Sequence, residues 1–80
     1  NSIYPNPADN SLKIILKPGL DLKSLHFIDM RGEIIEPVSI IQTREELDIN
    51  VTNLTNGIYI LELLSENEVS RVKVVIEKRD

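Results

Sequence analysis

The sequence predicts an all-β domain built as a sandwich of two antiparallel sheets. Apolar residues recur at every second position and hardly ever at helical spacing, which is the pattern of half-buried strands. About seven short strands follow one another at roughly ten-residue intervals with turn residues between them, as in packed antiparallel sheets. The hydrophobic fraction is 41% of the chain and consists almost wholly of Ile, Leu and Val. These branched residues favour strands.

Composition limits both the size of the core and the partners of the domain. Eighty residues form one domain, which buries only about 60–65% of the surface exposed by its unfolded chain. There is no cysteine, so stability must come from packing. Nine basic and thirteen acidic residues are interspersed and give a net charge of −4, which argues against nucleic acid or anionic lipid as a broad electrostatic partner. The longest apolar run is about four residues, against roughly 20 for a membrane-crossing helix, so no transmembrane segment is expected.

Three strands and a hairpin turn are predicted in the first part of the chain. Residues 4–8 contain two prolines, which remove backbone donors and favour an extended edge strand or an entry segment. Residues 12–16 alternate apolar side chains with lysine and end at a Pro-Gly pair. Residues 25–27 lead into a turn at residues 29–32, where Asp comes first and Gly fourth, as in a type I turn. We therefore expect a hairpin here.

The return arm of the hairpin is assigned to residues 34–41. Glu36-Pro37 interrupts it, and because proline cannot donate to a ladder, the arm should lie at an edge or at a bulge. Residues 47–51 alternate again and form a fifth strand. Thr43 to Leu47 shows a loose helix-capping pattern, but it is too short, and a loop is the preferred interpretation.

Two further strands complete the predicted sandwich, which is immunoglobulin-like in strand number and length. Asn56-Gly57 is a dipeptide suited to positive φ, and residues 59–63 alternate beyond it. Asn67 marks the next turn. Residues 72–76 then form the last strand, before a short charged tail.

The residues that commonly carry chemistry are almost absent. His26 is the only histidine, so no metal site is predicted, and its place on the polar face of a strand favours a solvated side chain. Acidic residues lie at turns or on alternating exposed positions. The three glycines form no phosphate loop, and no nucleophile motif occurs. A domain this small also leaves little room for a substrate cleft. We predict no enzyme, no catalytic residue and no cofactor.

A structural role is the preferred interpretation of the two tyrosines and of the turn glycines. Tyr4 and Tyr59 are each expected to bury the ring while the hydroxyl reaches a backbone partner, with direct recognition as the alternative. Turn geometry suffices to explain Gly32 and Gly57.

Several blocks of sequence, taken in order, carry a resemblance to a known family. The first five-residue block is Tyr-Pro-Asn-Pro-Ala, the second is an apolar strand ending in Asp-x-x-Gly, and the third is Leu-x-x-Gly-x-Tyr. Basic residues then close the last strand. The chain resembles the C-terminal sorting domain that addresses proteins to the type IX secretion system of Bacteroidota. The motif residues are Tyr4, Pro5, Asn6, Pro7, Ala8, Asp29, Gly32, Leu54, Gly57 and Tyr59.

The resemblance implies that residues 1–80 are a signal domain at the C-terminus of a larger secreted protein. Its partners would be the type IX translocon, a sortase-like cysteine peptidase that removes the domain, and the cargo domain upstream. The cargo would pass through the periplasm and reach the outer membrane surface or the medium. The domain would be a substrate and not a catalyst.

The translocon contact is expected along the last strand, because a free backbone edge can add to a partner sheet. Deletion of residues 74–80 is therefore expected to abolish export. Edge strands also leave room for a weak homodimer. The residues assigned to the contact are Lys73, Val74, Val75, Ile76 and Lys78.

Two other functions stay open at this level. The domain is alternatively an immunoglobulin-like or fibronectin-like spacer or adhesion module, since fold alone does not decide function. The chain has no Trp and 4% aromatic residues, which argues against sugar binding. A second variant assigns the parent protein to the secretion or attachment machinery itself.

Overall fold

Alternating apolar and polar residues produce eight strands and no helix within residues 2–79, the part of the chain that the computed structural model describes. The predicted all-β class and the sandwich are confirmed, with one strand more than expected. The strands are β1 Ser2–Tyr4, β2 Ser11–Ile15, β3 Leu22–Ile28, β4 Ile34–Ile35, β5 Ser39–Gln42, β6 Glu46–Asn50, β7 Gly57–Ser65 and β8 Val69–Ile76.

The strands form two four-stranded sheets whose strand pairings are all antiparallel. The first sheet has the order β1-β2-β6-β5, and the second has the order β4-β3-β7-β8. The edge strands are therefore β1 and β5 in the first sheet and β4 and β8 in the second. The last strand of the chain lies at an edge, as the sequence predicted.

The core lies between the two sheets and is filled by the inward half of each alternating strand. Phe27 at its centre is fully buried, and its ring meets that of Tyr59 edge-on at 6.4 Å between centroids. Such edge-to-face pairs add to the stabilisation that buried apolar area provides. The other core side chains are Ala8, Leu12, Ile14, Leu16, Leu25, Leu47, Ile49, Val51, Leu54, Leu61, Leu63, Val74 and Ile76.

The return arm predicted at residues 34–41 is wrong as a single strand. Its first part, β4, pairs with β3 in the second sheet, whereas its second part, β5, pairs with β6 in the first sheet. The chain crosses between the sheets at Glu36-Pro37, where the proline cannot donate to either ladder. Both parts are edge strands, which confirms the positional inference drawn from that proline.

The predicted turn at residues 29–32 is confirmed. The Gly32 amide donates to the Asp29 carbonyl at 3.0 Å, and Gly32 takes a φ of +86°, which favours glycine. The Asp29 carboxylate accepts the amides of Glu33 and Arg31, both at 2.9 Å. The Glu33 amide is the main cause that lowers the pKa of Asp29, against a smaller opposing effect of partial burial.

His26 does not have the solvated side chain that its strand position suggested. Its Nε2 lies 2.7 Å from Oε1 of Glu62, and the two side chains are only 17% and 14% exposed. Arg71 donates from Nε to the other Glu62 oxygen at 2.7 Å. The three residues are paired across β3, β7 and β8 on the outer face of the second sheet. Partial burial raises the pKa of Glu62, but the hydrogen bonds from Arg71 and His26 have a larger combined effect in the opposite direction. The pKa of Glu62 is therefore lowered overall.

Acid should remove the stabilisation that the Glu62 carboxylate provides. A lowered folded-state pKa means that this contribution is present above the ordinary value of 4.5 and is lost as the pH falls through the folded-state value. Urea unfolding followed at a series of decreasing pH values should show a steeper loss of stability in the wild type than in Glu62→Gln. Parallel profiles for the two proteins would contradict this role.

Candidate recognition surface

The opening motif covers part of the outer edge of the last strand. The Ala8 amide donates to the Val75 carbonyl at 2.8 Å, and the Glu77 amide donates to the Ala8 carbonyl at 2.7 Å. The Asn6 side chain accepts the Val75 amide at 3.0 Å and donates to the Lys73 carbonyl at 3.4 Å. Residues 5–8, which we call the opening strap, therefore occupy the place of a ninth strand along this stretch of β8.

The local sequence explains why the opening strap is not a regular strand. Pro5 and Pro7 have no amide hydrogen, so a continuous ladder cannot form through them. The carboxamide of Asn6 offers a donor and an acceptor in place of a peptide group. Ala8 forms an isolated parallel bridge with Ile76 and is only 1% exposed. Of the two alternatives predicted for residues 4–8, the edge strand is wrong, because β1 ends at Tyr4 and the prolines lie in bends.

The two tyrosines behave differently. Tyr59 is 5% exposed and its hydroxyl donates to the Thr55 carbonyl at 2.7 Å, which confirms the structural interpretation. Tyr4 is 46% exposed, and its hydroxyl has no hydrogen-bond partner within the described part of the chain. The prediction of a buried Tyr4 is therefore wrong. Tyr4 leaves an aromatic side chain at the surface beside the opening strap.

The Leu-x-x-Gly-x-Tyr block also contacts the end of the chain. Leu54 is 2% exposed and anchors the block in the core. Asn56, which was expected to hold positive φ, does not; its Oδ1 accepts the backbone amide of Lys78 at 2.7 Å. Gly57 has a nearly extended φ of +157° and is the first residue of β7, opposite Ile76. This block thus positions the chain just after β8.

Lys78 ties the tail to the opposite end of the sequence. Its ammonium donates to the carbonyls of Asp9 and Val51, the latter at 3.0 Å, and to Oδ1 of Asn10 at 3.4 Å. The Arg79 amide reaches Asp9 Oδ2 at 3.3 Å. The partners in these contacts are up to 70 residues apart in sequence, so the contacts could not be predicted from local sequence patterns. A surface depression of about 330 Å³ lies beside them, lined by Pro5, Pro7, Asp9, Glu77 and Arg79.

The structure revises the contact predicted along the last strand. Val74 and Ile76 are at most 1% exposed, so a partner of the folded domain cannot touch their side chains. The backbone of Val75 is already bound to the opening strap, so the premise of a free edge is wrong there. The ammonium of Lys78 is also occupied. Lys73 remains exposed on the surface.

The described residues form neither a metal centre nor a membrane-spanning helix. Within residues 2–79, no group of three or more His, Cys, Asp or Glu side chains is arranged to hold a metal ion. None of the elements in this range is a helix long and apolar enough to cross a membrane.

Comparison with known proteins identifies one family. The profile of the secretion system C-terminal sorting domain matches residues 2–77. No curated protein shows significant similarity to the chain. The match includes the opening strap, the Leu-x-x-Gly-x-Tyr block and the whole of β8, which are the segments that converge in the structure.

Replacing Asn6 by Ala should uncover the Val75 amide and the Lys73 carbonyl on the outer edge of β8. The change removes the side-chain bonds to Val75 and Lys73, and such a loss costs about 1 kcal/mol of unfolding free energy. The Val75 amide should also exchange its hydrogen faster. Asn67→Ala is the matched control, because Asn67 is exposed in the β7–β8 turn and its side chain forms no hydrogen bond within residues 3–79. Equal effects of the two substitutions would contradict the assignment.

Removing the hydroxyl group from each tyrosine in turn should affect the unfolding free energy differently. Tyr59→Phe loses the bond to the Thr55 carbonyl and should lower the unfolding free energy by about 1 kcal/mol. Tyr4→Phe removes a hydroxyl without such a partner and should leave stability unchanged. Chemical denaturation of both variants measures the difference. A loss that is as large for Tyr4→Phe would show that its hydroxyl has a structural role.

Proposed function

The chain belongs to the family of secretion system C-terminal sorting domains, which are the sorting signals of type IX secretion, and we propose that it is the last domain of a larger exported protein. Family membership supports this function over a spacer or adhesion module. Such a signal implies a type IX secretion system, an N-terminal cargo and export across the outer membrane. The match over residues 2–77 is the observation that carries the proposal.

The convergence of the motifs supports recognition of a folded domain and not of a linear peptide. The opening strap binds the backbone of Val75 and Glu77, and Asn56 of the Leu-x-x-Gly-x-Tyr block accepts the Lys78 amide, so these segments meet around the end of β8. Buried motif residues such as Ala8 and Leu54 act through the fold. We place the translocon contact on the exposed groups around this site, Lys73 and Tyr4 among them.

The remaining partners follow from the same proposal. The cargo passes through the periplasm, the translocon carries it across the outer membrane, and a sortase-like cysteine peptidase removes the domain before the cargo is attached or released. The domain itself performs no reaction in this scheme. It is a recognition element whose fold must be intact when the translocon meets it.

A reporter fusion tests the proposal. The reporter protein joined to the N-terminus of this chain should appear outside a host that has an active type IX system, whereas the reporter alone should stay in the periplasm. The fusion should also stay there in the same host without its translocon. Fractionation and protease accessibility measure the location. A folded fusion that is retained in the competent host would contradict the proposal.

Deletion of residues 74–80 is not a suitable test of recognition. It removes Val74 and Ile76 from the core, and losing large buried side chains costs about 2–5 kcal/mol each. Such a truncation should unfold the domain, so its failure to be exported would not distinguish recognition from folding. Variants that keep the fold are required.

A further inference from the structure

The outer edge of β8 is divided into a covered part and an open part. The amide and the carbonyl of Val75 both point away from β7, since both are bound to the opening strap. In an antiparallel ladder this orientation recurs at every second residue, so Val69, Arg71 and Lys73 also point outward. The opening strap reaches the Lys73 carbonyl and goes no further. We call residues 69–73 the open edge.

The open edge carries backbone groups without partners and two cations. Apart from the Lys73 carbonyl, the outward backbone groups of Val69, Arg71 and Lys73 form no hydrogen bond within the described part of the chain. Lys73 is exposed and forms no ion pair in that part. Arg71 uses Nε to bind Glu62, and its side chain remains 64% exposed.

We propose that the open edge binds an extended segment of a partner that alternates acidic and apolar residues and adds to the second sheet as a strand. Backbone groups of the added strand would bind those of Val69, Arg71 and Lys73. Its side chains next to Arg71 and Lys73 lie on the outer face of the sheet, where carboxylates are complementary. The intervening side chains lie on the inner face beside the half-buried Val72, where apolar residues fit.

Charge argues against a second copy of this chain as the occupant. If two open edges paired in an antiparallel register that places Arg71 opposite Arg71 or Lys73 of the other copy, cations would face each other, and like charges directly opposite each other destabilise a sheet. Lysine on an edge strand is a common protection against such pairing. The weak homodimer expected from the sequence is therefore disfavoured at this edge. The inference concerns binding alone and does not depend on the sorting function.

Peptide titration of the 80-residue chain tests the proposal. The probe is a short peptide with Glu or Asp at every second position and Val between them. Nuclear magnetic resonance should show slower hydrogen exchange at the Arg71 and Lys73 amides, whereas the Val75 amide, already bound to Asn6, should not change. A peptide with Lys in place of each acidic residue, and one of the same composition without alternation, should bind more weakly.

Variants of Lys73 separate the contribution of charge from that of the backbone. Lys73→Glu should weaken binding of the acidic peptide about fivefold or more, since an attractive cross-strand pair becomes repulsive. Arg44→Glu makes the same charge change on an exposed residue between β5 and β6 and should leave binding unchanged. Lys73→Pro removes an outward amide but no ladder bond and should weaken binding. Thermal unfolding verifies that each variant is folded.

Several outcomes would overturn the proposal. Equal binding of the acidic and lysine peptides, or an equal effect of Arg44→Glu, would show that charge at the open edge is irrelevant. Concentration-dependent protection of the Arg71 and Lys73 amides without peptide would identify a second copy as the occupant. The titration contains no secretion components, so its failure would leave the sorting function standing. Retention of the reporter fusion would equally leave the peptide result intact.

Discussion

The hydrogen bonds between the opening strap and β8 are the constraint on which the rest of the surface depends. Ala8 exchanges backbone bonds with Val75 and Glu77 at 2.8 and 2.7 Å, and thereby joins the two ends of the chain. Closing so long a loop has an entropic cost, which is offset only when both sheets are packed. The contact therefore exists only in the complete fold. Under the proposed function, a recognition surface built on this contact would be present only in the folded domain.

A sorting signal is commonly a short peptide, but here the motif residues divide between buried structural positions and the surface. Leu54, Gly57 and Tyr59 shape the start of β7 and the approach to the tail, while Asn6 supplies the groups that its flanking prolines lack. Ala8, Leu54 and Tyr59 are buried and act through the fold, whereas Tyr4, Pro5, Asn6 and Pro7 lie at the surface. Residues 6–8 and 56–59 are far apart in sequence but meet around β8 and the residues that follow it, which is why the proposed signal is the folded sandwich and not a linear peptide.

The strands were predictable because alternation at period two directly reflects burial on one face of a sheet. Contacts that depend on tertiary position were not. Nothing local in the sequence indicates that Asn6 replaces a peptide group, that Lys78 binds distant carbonyls, or that the chain changes sheets at Glu36-Pro37. His26 was assigned to solvent because its strand face is polar, whereas Glu62 from the neighbouring strand encloses it. The errors at His26 and at residues 34–41 involve partners on other strands, whereas Tyr4 was wrong because its side chain lies at the surface.

The short path from Tyr4 to Ala8 has a consequence for how the domain sits beside a passenger. It carries the chain from β1, at the edge of one sheet, directly to β8, at the edge of the other. A protein joined upstream of β1 would therefore lie near the side of the sandwich formed by β1 and β8. It would restrict access to that side more than to the opposite side, which is formed by β4 and β5. A large cargo and the translocon would compete for the same side of the domain. The length of the segment between the cargo and β1 would then determine how easily the translocon reaches that side.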